Sequence, residues 1–439
     1  MVNLGISQNR GGDGFGETPL AGLDLPLPQS LPDLGLPEIF LANLALKHAF
    51  FLDVFTLKVL GERLKLSTGI LTQLLDYLKK DRYVEVRGPD PSNPVVSSVS
   101  LGLRYALTEG GKRRASQLLD YDAYVGPAPV TLSDYASQVR RQNLKRPAVG
   151  PGRLEQIFKG LVLSPDLMDC LGPALMSGKP LFLYGPSGNG KTSLALRLGE
   201  LWDDFILIPY ALYVEGHVIR VFDEITHRPA PDAEAAAGDR RWVWCRRPAV
   251  IVGGELTLAM LDLAYNPTLK FYEAPAQLKA NNGLFIVDDF GRQQITPQEL
   301  LNRWITPLEN RQDFLCLHTG QKFAIPFDQF LVFATNLEPR TLVDAAFLRR
   351  IRSKVMVPHV SREQFREIFE QNCRTYGFDY DPEILSYLFG YYDDGRRPLD
   401  ACHPRDLLEQ ILDFCHFHSI EPRLTRENLD RACKTYFVN

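Results

Sequence analysis

The run Gly185-Pro186-Ser187-Gly188-Asn189-Gly190-Lys191-Thr192-Ser193 holds the residue types best suited to chemistry in this chain. Its glycines let the backbone wrap an anion and present N–H groups to it. Lys191 supplies a cation for the β- and γ-phosphates of a nucleotide, and the Thr192 hydroxyl supplies an oxygen ligand for Mg²⁺. The apolar strand Leu181 to Tyr184 precedes the loop and the helical run LALRL follows it. Strand, glycine loop and helix in that order distinguish a phosphate grip from an ordinary glycine turn, and the helix N-terminus adds its positive dipole end. The chemistry implied is the binding of ATP with Mg²⁺.

A second acidic element belongs beside this loop. GLFIVDDF, residues 283–290, reads as a buried parallel strand ending in Asp288 and Asp289. Carboxylates at the C-terminal end of such a strand lie near the phosphate site, so Asp288 is expected to hold Mg²⁺ and Asp289 to polarise the attacking water. Downstream come FLVFATNLEP, a strand ending at Asn336, then DAAFLRRIRSK with Arg349 and Arg350, then HPRDLLEQI with Arg405.

This order of phosphate loop, acidic strand end, Asn at a strand end, paired Arg and late Arg resembles the AAA+ ATPases, over roughly Leu161 to the C-terminus. The resemblance implies an α/β P-loop core with an αβα arrangement and a C-terminal helical lid. It further implies that Asn336 positions the lytic water. Arg349 or Arg350 would reach the ATP of a neighbouring subunit as an arginine finger, and Arg405 would report the γ-phosphate to the lid. A finger supplied in trans is worth ~10³–10⁵ in rate, which makes assembly a condition of activity and implies a ring, expected to be hexameric. Two departures stand out. Asp289 occupies a position where most AAA+ proteins carry Glu, a pairing similar to replication initiators and loaders. Lys191 and Asp288 are also 97 residues apart, leaving room for an insertion.

Within that insertion Arg240, Arg241, Arg246 and Arg247 flank Trp242 and Trp244, the pattern of a nucleic-acid or partner-binding hairpin, or of a half-buried hairpin with solvated arginines. A helix is expected from about Leu256. Lys270-Phe271-Tyr272 reads as either an aromatic pore loop or core.

The elements ahead of the phosphate loop fall into three parts. Residues 1–37, rich in Gly and Pro, read as a flexible arm. Residues 38–121 carry three helical patterns, two strands and a closing helix, with Ile70, Leu71, Leu74, Leu75 and Leu78 on one face. That order resembles a small α+β winged helix-turn-helix domain. Its 12 Lys+Arg against 9 Asp+Glu give a net of +3, weak for neutralising several phosphates, so DNA binding and protein docking both stay open. Residues 122–160 read as a linker, 161–356 as the ATPase core and 357–439 as a lid whose helices are capped by Ser361, Asp381 and Thr425.

The whole chain has 439 residues and a net charge of -4, so no global basic field draws in nucleic acid or an anionic membrane. Seven scattered cysteines suit a reducing cytoplasm, and Cys402-His403 with Cys415-His416-Phe417-His418 lacks zinc-site spacing. No apolar run is long enough to cross a bilayer. The expected protein is a cytoplasmic AAA+ ATPase that remodels or regulates a macromolecular complex, with a protein target foremost. The alternative is a DNA-associated initiator, loader or transcriptional regulator.

Overall fold

A computed structural model describes residues 25–90, 102–144, 150–231 and 238–437. The N-terminal unit comprises α1 (Glu38–Phe50), β1 (Val54–Thr56), α2 (Leu57–Leu64), α3 (Thr68–Lys80), β2 (Val84–Pro89), β3 (Leu103–Leu107) and α4 (Glu109–Tyr121). Its three strands pair antiparallel in the order β1-β3-β2. The apolar stripe of α3, from Ile70 to Leu78, is buried against α1 and α2, which is why the 3.6-residue period was so clear there.

Two stretches that read as unstructured are built in. Of the 1–37 arm, residues 25–37 are described; Leu34 and Leu36 enter the core of the N-terminal unit, and a 3-10 turn covers Pro32–Leu34. The 122–160 linker instead carries β4 (Val130–Thr131), α5 (Leu132–Arg141) and α6 (Pro151–Ile157). Thr131 caps α5 by accepting from the Asp134 N–H at 3.0 Å, while Tyr135 and Val139, one turn apart, are buried. The flanking prolines and glycines obscured a short helix with a cap of its own. Of its basic patch, Lys145 and Arg146 lie outside the described residues.

Next come α7 (Pro165–Met176), β5 (Leu181–Tyr184) and α8 (Lys191–Arg197). The segment between Lys191 and Asp288 supplies β6 (Phe205–Pro209), β7 (Ala211–Val214), β8 (His217–Arg220), β9 (Trp242–Arg246), β10 (Ala249–Val252), β11 (Ala264–Tyr265), β12 (Tyr272–Glu273) and α9 (Ala276–Lys279). The helix expected from Leu256 is only a 3-10 turn at Leu258–Leu261. The chain continues through β13 (Leu284–Val287), α10 (Pro297–Asn310), β14 (Gln312–Cys316), β15 (Lys322–Pro326), β16 (Phe330–Thr335), α11 (Pro339–Leu342), α12 (Ala345–Arg350) and β17 (Ser353–Met356).

A five-stranded parallel sheet, β10-β13-β16-β5-β17, forms the centre of this mixed α/β fold. Its middle strands are apolar on both faces, as expected where helices cover each side. One face packs on α6, α7 and α8, the other on α10 and α12. Beside it lies a second sheet, β11-β12-β8-β7-β4, which joins the inserted strands to the former linker. Ala211, Val218 and Phe271 from this region share the core of the N-terminal unit.

The last four helices, α13 (Arg362–Tyr376), α14 (Pro382–Gly395), α15 (His403–Phe417) and α16 (Arg426–Tyr436), enclose a separate apolar core. Ser361, Asp381 and Thr425 each accept a bond from a backbone N–H in the first turn of α13, α14 and α16.

Candidate nucleotide site

The phosphate loop leaves the C-terminal end of β5, between β16 and β17, and turns into α8. Gly185, Gly188 and Gly190 have φ of 139°, 77° and 81°, a region disfavoured for side-chain-bearing residues. At Gly185 a Cβ would also collide with the Val357 carbonyl. Among the described residues the N–H groups of Gly188, Asn189 and Gly190 have no protein acceptor. Three unspent donors on a glycine-shaped loop fit a polyphosphate.

Lys191 is buried, and its Nζ donates to the carbonyls of Gly185 at 2.9 Å and Pro186 at 2.7 Å, spanning the mouth of the loop. Burial lowers its pKa, while the carboxylates of Asp288, Asp289 and Asp400 oppose that shift. Thr192 Oγ1 donates to both Asp288 oxygens, at 2.9 and 3.1 Å. A hydroxyl and a carboxylate meeting at one point are the oxygen donors a hard divalent cation takes, so Thr192 and Asp288 fit Mg²⁺. Pro186 and Ser187 complete the loop, and Ser193 is exposed on the first turn of α8.

Asp289 is exposed at φ 48°, on a sharp turn after β13. Gln293 braces that turn: its Nε2 donates to the carbonyls of Asp288 and Asp289 at 2.8 and 3.1 Å, and its Oε1 accepts from the Gly291 N–H at 2.7 Å. Thr335 Oγ1 donates to the Phe290 carbonyl at 2.7 Å, tying the same turn to the end of β16. Neither Gln293 nor Thr335 was picked out from the sequence; a Gln four residues after the second Asp was the available signal. Asn336 follows β16, the strand between those of the phosphate loop and the acidic pair, so strand order brings it beside both.

The paired arginines part company. Arg350 is tied to Glu309 of α10 at 2.7 Å. Arg349 is exposed and lines a cavity of about 590 Å³ with Tyr184, Arg340 and Arg352. Arg405, on the first turn of α15, pairs with its neighbour Asp406 at 2.8 Å and makes no bond to the phosphate loop. The residues just before α15 do: Asp400, Ala401 and Cys402 bond to Gly188 and Asn189. Asp400 was likewise missed from the sequence.

Comparison with known proteins adds little about the site. Residues 361–435, spanning α13 to α16, match a family described as a domain of unknown function, DUF8689. A tRNA dimethylallyltransferase from Dinoroseobacter shibae is 29% identical over 151 residues, 30% of this chain and 47% of that protein. The chain thus matches under half the length of that relative. Among solved structures, NtrX from Brucella abortus is similar at a TM-score of 0.38 and 14% identity, covering 68% of this chain and 58% of that one. A RuvB mutant from Thermotoga maritima is similar at a TM-score of 0.39 and 12% identity, covering 63% and 71%.

Two other sequence candidates resolve into core. Trp242 and Trp244 are buried in the β6–β9 ribbon. Arg241 closes on Asp239 at 2.8 Å and Arg247 on Asp204 at 2.6 Å, so these two arginines and both tryptophans are taken up within the fold, while Arg246 is exposed and Arg240 half-buried. Phe271 and Tyr272 are buried as well, so the stretch is no pore loop. Among the described residues no group of three His, Cys, Asp or Glu could hold a metal, and no helix is long and apolar enough to cross a membrane.

Proposed function

We propose that this chain is an AAA+ P-loop ATPase that couples ATP binding and hydrolysis to the remodelling of a protein complex. The observation that carries the reading is the meeting of Thr192 and Asp288 beneath a glycine loop whose N–H donors are unspent. Bound Mg²⁺ would neutralise charge developing on the phosphates. Lys191 exchanges the carbonyls of Gly185 and Pro186 for phosphate oxygens. Asp289 orients the attacking water and takes up its proton, assisted by Asn336. Arg349, free of the tie that holds Arg350, is the better arginine finger for a neighbouring subunit in a hexameric ring. Arg405 would leave Asp406 to reach the γ-phosphate.

The N-terminal unit resembles a winged helix and acts in this account as a protein adaptor. Helix α3, which the winged-helix resemblance would place against DNA, is partly covered at its start, where the Ser67 hydroxyl donates to the Pro28 carbonyl at 3.4 Å. Lys79 is spent on Asp76 at 2.6 Å. Both features disfavour the initiator, loader or regulator alternative.

The test is the steady-state ATPase rate with and without duplex DNA at low and physiological salt. A rate indifferent to DNA is expected. Stimulation that fades steeply with salt would put phosphate contacts into the motor and overturn the adaptor assignment.

A further inference from the structure

The lid and the phosphate loop are joined by a short strap. Asn189 Nδ2 donates to Asp400 Oδ1 at 2.6 Å, the Ala401 N–H donates to Asn189 Oδ1 at 3.1 Å, and the Cys402 N–H donates to the Gly188 carbonyl at 2.9 Å. A Cβ at Gly188 would lie 2.6 Å from Cys402 Sγ and 3.7 Å from Asp400 Cβ, so the strap rests directly on the loop. Asp400 is also held by two histidines, His359 Nδ1 at 2.7 Å from the same Oδ1 and His403 Nε2 at 3.5 Å from Oδ2. Both ends of the Asn189 amide are therefore engaged by the lid, in the middle of the segment that would hold a phosphate.

We propose that Asp400 is a positioning residue that latches the lid onto the nucleotide-free phosphate loop and is displaced when a nucleotide polyphosphate binds there. The inference rests on the ATP-binding reading above. After Asp288 and Asp289, the Asp400 carboxylate also favours the charged form of Lys191, so it acts on the same loop that the phosphates would enter. A polyphosphate on the same lysine brings further negative charge toward that carboxylate in a partly buried place, where like charges repel strongly. The repulsion loosens Asp400 from Asn189, and with it Ala401 and Cys402. Because these residues run directly into α15, which packs in the lid core, the nucleotide state passes to all four lid helices.

The test titrates MgADP calorimetrically into full-length wild type, Asp400→Asn and Asp400→Ala, and follows amide hydrogen exchange at residues 400–403. Both variants remove the opposing charge, so both should bind MgADP about five- to tenfold more tightly, the scale of one charge-assisted contact. In wild type, MgADP should speed exchange of the Ala401 and Cys402 amides. Asp400→Ala should show that faster exchange without nucleotide. A residue that merely braced the loop would lose affinity on substitution. Equal or weaker MgADP binding in both variants, or wild-type exchange unmoved by MgADP, would overturn the latch. Asp400→Asn keeps the side-chain volume and an acceptor for Asn189, so the affinity result stands even if Asp400→Ala folds poorly. Lys191→Ala in the same series separates the two ideas. Absence of MgADP binding in wild type defeats the ATP-binding reading itself, whereas wild-type binding lost in Lys191→Ala but unaffected by either Asp400 variant defeats the latch alone.

Discussion

The parallel sheet and the β6–β9 ribbon beside it treat their polar side chains in opposite ways. At the C-terminal edge of the sheet, Asp289 and Arg349 are exposed and the loop N–H groups are unspent. In the ribbon, Arg241 and Arg247 are buried and each is closed on a carboxylate. The first arrangement leaves free energy for a ligand to collect; the second has already used it within the fold. A buried arginine already closed on a carboxylate, as Arg241 and Arg247 are, has little left to offer a ligand.

Substitutions can break this contrast. The largest effects should fall on turnover at the sheet edge. Arg349→Ala should lower the ATPase rate by ~10³ or more with ATP affinity retained, and mixing with Lys191→Ala subunits should restore part of it. Arg350→Ala should cost less; equal losses would remove the distinction drawn from its tie to Glu309. Asp289→Asn should bind ATP yet hydrolyse it at least ~10²-fold more slowly, as loss of a positioned proton acceptor implies. A wild-type rate in single-turnover assays would take Asp289 out of the mechanism.

In the ribbon the effects should be on folding. Asp239→Ala strands a buried guanidinium and should destabilise by about 3–5 kcal/mol in urea unfolding, with MgADP affinity unchanged wherever the protein is folded. Arg246, exposed with its guanidinium 5.6 Å from the Phe205 ring centroid, should cost under about 1 kcal/mol when replaced by Ala. A large loss there would mean that the ribbon's outer face carries load that its exposure hides.

What could be read from the chain follows the same division. The backbone of the loop from Gly185 to Thr192 was legible because its glycine spacing matches its conformation, three glycines at positive φ between a strand and a helix. The α3 stripe and the lid caps were legible because each depends on neighbours within one or two turns. The Trp-Arg stretch stayed open between a binding hairpin and a half-buried one because its composition cannot reveal that Asp239 and Asp204 close on Arg241 and Arg247. Gln293 and Asp400 escaped notice for a related reason. Gln293 acts through main-chain carbonyls of a turn, and Asp400 meets Asn189 across 211 residues of sequence. The β4–α5 segment was lost because only two of the buried side chains of α5, Tyr135 and Val139, are apolar, too few to outweigh the prolines around it.

The most direct test of the account is a calorimetric titration of wild type and Lys191→Ala with ATPγS in the presence of Mg²⁺ and again with EDTA. Saturable binding in wild type, weakened by EDTA and abolished by Lys191→Ala in a protein that still unfolds cooperatively, is the predicted result. Binding that survives Lys191→Ala unchanged would contradict the assignment of the phosphate site.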